Sequence, residues 1–188
     1  MSLWGASTTN ESKPKHLSDA EKRDVYATEE GWVKRTTGTG GRANRVHEEI
    51  LVAIGDLSGG TSTTARLAAG TISSTRFITT SLGAAAGGTF SVEVIYNEKV
   101  DVTGTPLLTV TNDTPSRNVT LPYASGTGTN RLTFTATVAA DATTVGDVLS
   151  VGANAVTAAE TIQDADTNTD SARTHSAQAV TTDITVVA

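Results

Sequence analysis

The run Leu132-Thr133-Phe134-Thr135-Ala136-Thr137-Val138 alternates apolar and hydroxylated side chains at every step. A period of two marks a strand with one buried face, because successive side chains point to opposite sides of a sheet. Threonine suits the outer face, since its branched side chain packs well on a pleated surface. Upstream, Phe90, Val92, Val94 and Tyr96 alternate with Ser91, Glu93 and Ile95, which predicts a second, nearly half-buried strand. Asn97-Glu98-Lys99 and Asp101 interrupt it as an edge bend or bulge does. Leu107–Val110 follows a Gly104-Thr105-Pro106 turn, and Asn118–Tyr123 reads as an edge strand because Pro122 has no N–H to give to a ladder. Ala124–Asn130 is a tight glycine-rich turn, Leu149–Val151 and Ile184–Val187 are further strands, and Ala165–Gln178 reads as a long surface loop or tail. Short strands at this spacing, joined by polar turns, predict a β-sandwich over residues 88–188.

Composition agrees with a mainly β chain. Charged residues make up 18%, below the roughly 25% of ordinary soluble proteins, and threonine, glycine, alanine and valine dominate in their place. The formal net charge of -6 is unevenly placed. Through Ile50 the acids Glu11, Asp19, Glu21, Asp24, Glu29, Glu30, Glu48 and Glu49 match the bases Lys13, Lys15, Lys22, Arg23, Lys34, Arg35, Arg42 and Arg45, so the acidic excess lies beyond that point. A neutral, charge-dense arm followed by an acidic body suggests two parts with different tasks. An acidic chain lacks the basic field needed to grip nucleic acid, and no apolar run approaches the roughly 20 residues that span a bilayer, so neither nucleic acid nor membrane is an expected partner. The absence of cysteine excludes disulfides and thiolate chemistry. Met1–His16 has no hydrophobic signal core, which predicts assembly inside a cell.

In the first 60 residues, Ser18 and Glu21 form a capping-box pattern that predicts a short helix over Asp19–Asp24, with Val25 and Tyr26 already beginning an extended segment. Gly31-Trp32-Val33 and Ile50–Ile54 are expected to pair across the loop Thr36–Arg45, with Trp32 anchoring a small β unit. Glu48–Ile54, apolar on both faces, reads as a strand buried on both sides or inserted between subunits. Residues 61–87 are rich in threonine, glycine and alanine and are expected to connect the two parts; a strand within Thr71–Thr80 and a linker at Gly83–Gly88 are predicted there.

Catalytic and metal-binding patterns are thin. His16, His47 and His175 are far apart and no H-E-x-x-H pattern occurs; His47 is expected at the surface beside a strand. Asp164, Asp166, Asn168 and Asp170 alternate as calcium ligands do, but without the glycine and distal glutamate of an EF-hand, and a solvated acidic loop is the expected reading. The glycine run at 38–41 lacks the ending of a phosphate loop, there is no G-x-S-x-G elbow, and nothing fixes Glu29, Glu30, Glu48 and Glu49 as paired catalytic carboxylates. The expectation is a protein that is no enzyme and holds no cofactor or metal.

Two resemblances add to this reading. Val92–Tyr96 with Val100, Thr103–Val110 and Ala124–Phe134, followed by Thr137–Asp141, Leu149–Val151 and Thr161–Ala165, resemble bacterial Ig-like repeats of surface adhesins and phage structural proteins. That implies an Ig-like β-sandwich over the second half of the chain. Met1–Gly5, Tyr26–Thr28 with Gly31–Val33, and Glu49–Gly55 resemble small virion proteins of contractile-tailed, cyanophage-like phages of marine bacteria. This second resemblance covers about the first 60 residues and implies a particle protein.

Together these give an expected mainly β chain: an extended N-terminal arm and small β unit (1–60), a connector (61–87) and an Ig-like β-sandwich (88–188). The expected function is that of a capsid decoration or cement protein on the virion surface, assembled in the host cytoplasm and bound to the major capsid protein or to other virion proteins. A homo-oligomer is compatible with such a lattice. Trp4, Leu17, Tyr26 and Trp32 are the expected interface anchors, Trp32 serving its own core as well, while Lys13, Lys15, Glu29 and Glu30 would set register. The alternatives are a neck, tail or fibre-associated component, and a carbohydrate-binding or adhesion module, for which the sandwich offers only Tyr96 and Tyr123 beside Phe90 and Phe134, both phenylalanines falling on predicted core positions.

Overall fold

The computed structural model describes residues 13–37, 45–58, 67, 69–157, 161–173 and 183–188. The chain is mainly β. Among the described residues, one short α-helix, α1 (Asp19–Lys22), precedes eleven strands: β1 (Val25–Thr28), β2 (Gly31–Thr37), β3 (Val46–Ala53), β4 (Ile72–Phe77), β5 (Gly88–Thr103), β6 (Leu107–Asn112), β7 (Val119–Ser125), β8 (Thr129–Val138), β9 (Val148–Thr157), β10 (Thr161–Asp164) and β11 (Ile184–Thr185). Hydrogen bonds link them in the order β11-β9-β6-β7-β8-β5-β1-β2-β3, with β4 and β10 also on β5.

The fold is sandwich-like. Strands β6, β9 and β11 present Leu108, Val110, Leu149, Val151 and Ile184 to a core shared with Phe90, Val92 and Val94 of β5 and Leu132 and Phe134 of β8. The alternation that predicts β8 is the one observed: Leu132, Phe134 and Val138 are buried and the threonines are wetter. Strand β7 joins the two layers. Val119–Pro122 pairs with β6, whereas Tyr123 and Ser125 pair with β8. The expected edge strand is therefore a corner strand that changes sheets. Pro122 stands at the switch, where a missing N–H costs least, and the next N–H, of Tyr123, goes to the Pro106 carbonyl at 2.9 Å.

β5 organises the molecule. Its 16 residues pair with β8, β4, β10 and β1. The expected half-buried strand is buried on both faces: Glu93 and Ile95 are covered as well as Phe90, Val92, Val94 and Tyr96. One cause is visible at Glu93, whose carboxylate receives Arg76 and Arg131, each at 2.9 Å, while Arg131 also bonds Asp24 and the Arg23 carbonyl at the edge of the N-terminal unit. The predicted irregularity lies where the β8 ladder jumps from Ile95 to Val100. Within that bulge Glu98 pairs in parallel with Ala27 of β1. The bulge thus frees backbone for a second partner, and the N-terminal unit is mounted there.

That unit is an antiparallel β1–β2–β3 meander over a small core of Leu17, Val25, Ala27, Trp32 and Leu57. α1 is capped as expected, with Ser18 and Glu21 exchanging hydrogen bonds. β2 and β3 pair across the loop as predicted. β3, however, is not buried on both sides. Val46–Ile50 is exposed, since β3 ends the strand order and only β2 flanks it among the described residues.

The expected connector, 61–87, contributes β4, which pairs with β5 from Ile72 to Phe77. Gly83–Gly88 is a packed turn rather than a linker: the Gly87 N–H reaches the Gly83 carbonyl, the Ala84 N–H reaches Val187, and Leu82 and Ala84 are buried. The start of the expected 165–178 loop is likewise fastened. Ser171 and Ala172 donate to Ile162 and Gly70, and the Tyr96 hydroxyl donates to the Ala172 carbonyl at 3.0 Å.

Candidate functional site

The expected interface residues separate into three groups. Trp4 lies outside the described residues. Leu17, Tyr26 and Trp32 are buried within the chain itself, so they anchor the small unit rather than offer themselves to a partner. Lys13 is also turned inward: its ammonium donates to the Lys22 carbonyl at 2.9 Å and to Ser73 Oγ at 3.1 Å, and lies 5.9 Å from the Trp32 ring centre. Burial, then the nearby Arg131 and Lys22 charges, bring its pKa down to about 8. Lys15, Glu29 and Glu30 are exposed.

Glu29 and Glu30 are brought together with residues of three other segments around a groove of about 620 Å³. They sit on the turn between β1 and β2, held by their backbone carbonyls, which accept from Asp56 and Ile54. Val33 of β2 and Ile50 of β3 give the groove apolar lining; Glu48, Lys99 and Asp166 add charge. Four carboxylates therefore face one ammonium. Val33 and Ile50 are register partners, as are Arg35 and Glu48, so the outer face of the β2–β3 pair runs into the groove. The Tyr26 hydroxyl donates to Glu48 Oε1 at 2.6 Å and the Lys99 ammonium lies 5.9 Å from the Tyr26 ring centre. Burial, reinforced by Glu48, pushes the Tyr26 phenol above its ordinary range, so it stays a donor and fixes Glu48. Val46, and Ile50 in the groove lining, are 45% and 48% exposed on β3, which among the described residues has no strand on its outer side.

Behind the groove is a buried acid pair. Glu98 of β5 and Asp164 of β10 have no measurable solvent exposure, and neither Glu98 oxygen nor Asp164 Oδ2 has a hydrogen-bond donor in good geometry. Asp164 Oδ1 caps the following turn by accepting from the Asp166 and Thr167 N–H groups at 2.7 and 2.9 Å, and Ser58 Oγ donates to Asp166 Oδ2 at 3.2 Å. Burial first, then the Asp164 charge, raise the Glu98 pKa to about 8, against a lowering contribution from Ser58. Glu98 is therefore protonated at neutral pH. Of the alternating acids Asp164–Asp170, expected as a solvated loop, Asp164 is instead buried and caps the turn through Oδ1, while Asp166 and Asp170 are exposed and accept from the Ser58 and Gln163 side chains; among the described residues no group of three or more His, Asp or Glu is arranged to hold a metal ion.

The sequence singles out Glu29 and Glu30 as interface residues and reads Glu48–Ile54 as a strand buried on both sides or inserted between subunits, without naming Glu48 and Ile50 as contacts; Glu98 goes unassigned. For Glu98 there was a signal: it lies on the same period-two stripe as Phe90, Val92, Val94, Tyr96 and Val100, an acid in a row of core residues. Of the aromatics considered for sugar stacking, Phe90, Tyr96 and Phe134 are fully buried, and Tyr123 is half-buried, edge-on to Phe134 at 6.0 Å. No protein-family model, curated protein or solved structure matches the chain.

Proposed function

We propose that this chain is a non-enzymatic structural protein of a virus particle, a decoration or cement protein that holds to the lattice of the major capsid protein and stabilises the shell. The observation that carries this reading is the exposed edge strand β3, set on a unit that is itself fixed to the sandwich through β5. Folded proteins generally shield a flat strand edge with charge, bulges or cover; β3 carries Glu48 and Glu49, but among the described residues no strand covers its outer side, and the exposure of Val46 and Ile50 there suits a chain that meets a partner. The resemblance of the first 60 residues to phage virion proteins supports the same conclusion, and the burial of Phe90, Tyr96 and Phe134 disfavours glycan stacking.

Quantitative mass spectrometry of purified particles tests the proposal. A copy number within a few-fold of the major capsid protein is expected. A far smaller number, matching one ring per particle, would move the protein to the neck or tail. Its absence from particles would overturn the proposal.

A further inference from the structure

We propose that β3 accepts a basic, extended segment of a partner protein as an added strand, with the partner's lysine or arginine side chains entering the groove beside it. This deepens the assembly reading and rests on it for the partner being a particle protein.

The outer side of β3 has no strand partner among the described residues, so its backbone donors and acceptors are available for a ladder. Main-chain pairing supplies affinity in such additions, and side-chain pockets supply selectivity. The groove decides which side chains fit. Val33 and Ile50 suit the aliphatic stem of a long side chain, while Glu29, Glu30, Glu48 and Asp166 outnumber Lys99 and suit a cationic head. Arg35 stands opposite Glu48 across the ladder and offsets part of that charge, and the acidic majority remains.

The same charges argue against a second copy of this chain as the occupant. Antiparallel self-pairing of β3 centred on the Glu48–Glu49 step would set Glu48 of one copy against Glu49 of the other, and like charges directly opposite destabilise a ladder; centred on its middle, it would set Glu49 opposite Ile50 and Glu48 opposite Leu51 and still gather four carboxylates along one short seam. A strand with cations at alternate positions reverses that sign, and oppositely charged faces also speed encounter.

The test uses the full chain, labelled for amide NMR, and two synthetic peptides of about nine residues, one alternating valine with arginine and one alternating valine with glutamate. The basic peptide is expected to shift the amides of Val46–Ile50, Glu29 and Glu30 saturably and to weaken as salt is raised. Glu29→Lys with Glu30→Lys is expected to lower its affinity roughly tenfold. These side chains are exposed on the turn, and unchanged amide positions in the sandwich verify the fold. Ile50→Lys, at an exposed position, is an independent block. Equal binding of both peptides, or shifts confined to other strands, would overturn the inference. Particle binding separates it from the reading beneath it. If the wild-type chain binds particles and the double variant binds equally well, the groove inference fails and the assembly reading stands. If the basic peptide occupies β3 while particles do not bind the chain, the assembly reading fails and the inference stands.

Discussion

Glu98 shows how one residue ties stability to pH. Its carboxyl is fully buried beside Asp164, and folding raises its pKa from the ordinary value of 4.5 to about 8. Between those values the folded chain holds a proton that the unfolded chain has released, so stability falls as pH rises through the window and the loss is complete above it. The size is on the order of 1.4 kcal/mol for each pH unit crossed, a few kcal/mol in all. Glu98→Gln keeps the shape and removes the titration. Urea midpoints measured from pH 5 to pH 9 are expected to fall for the wild type and to stay flatter for the variant, which becomes the more stable protein at the alkaline end. Parallel curves for the two would refute the assignment. The stripe Phe90–Val100 makes Glu98's inward position legible in the sequence, but its partner is not: Asp164 is far away along the chain, and only the β10–β5 pairing, Asp164 against Val100, brings it near.

At the scale of elements, the N-terminal meander depends on the turn that opens β2. Gly31 has φ +130°, a conformation that L side chains rarely adopt, and an added Cβ would run into the Val52 carbonyl oxygen and lie 2.6 Å from the Ile54 nitrogen. Gly31→Ala is therefore expected to cost about 2–3 kcal/mol, whereas Gly55→Ala, whose Cβ would meet nothing within 4 Å, serves as a near-neutral control. Equal unfolding midpoints for the two would show that the turn tolerates a side chain. The strands themselves were largely readable, because β8 and most of β5 alternate cleanly and Trp32 marks an apolar anchor. Their neighbours were harder. β3 is apolar enough to read as interior, yet it ends the sheet; Pro122 reads as an edge marker, yet it serves at a corner. Local pattern reports whether a strand has apolar faces, not how many other strands arrive to cover them.

At the scale of the molecule, the two apolar cores of the described residues, one in the sandwich and one under the meander, share a seam where Ala27 meets Glu98, Arg131 reaches Asp24, and Ser58 reaches Asp166. Deprotonating Glu98 puts a fully buried negative charge at that seam. Amide exchange, corrected for its intrinsic pH dependence, is accordingly expected to show β1–β3 losing protection between pH 6 and pH 9 while β8 retains it, and Glu98→Gln is expected to suppress the difference. Uniform loss across both cores would mean that the seam does not act as a separate unit. The division into a small N-terminal unit and a sandwich could be drawn from composition and pattern. The seam between them could not, since its contacts join Ser58 to Asp166 and Asp24 to Arg131 across more than 100 positions of sequence.

The length of β5 has a mechanical consequence. Its 16 residues extend for about 50 Å at roughly 3.3 Å per residue, from the sandwich into the bulge that carries the meander. A pull on the meander directed along that strand loads the ladders to β8, β4 and β10 side by side rather than peeling them one bond at a time. Bonds strained together fail together, so the chain is built as a tie rod: stiff along β5 and far easier to tear sideways, from β3 inward.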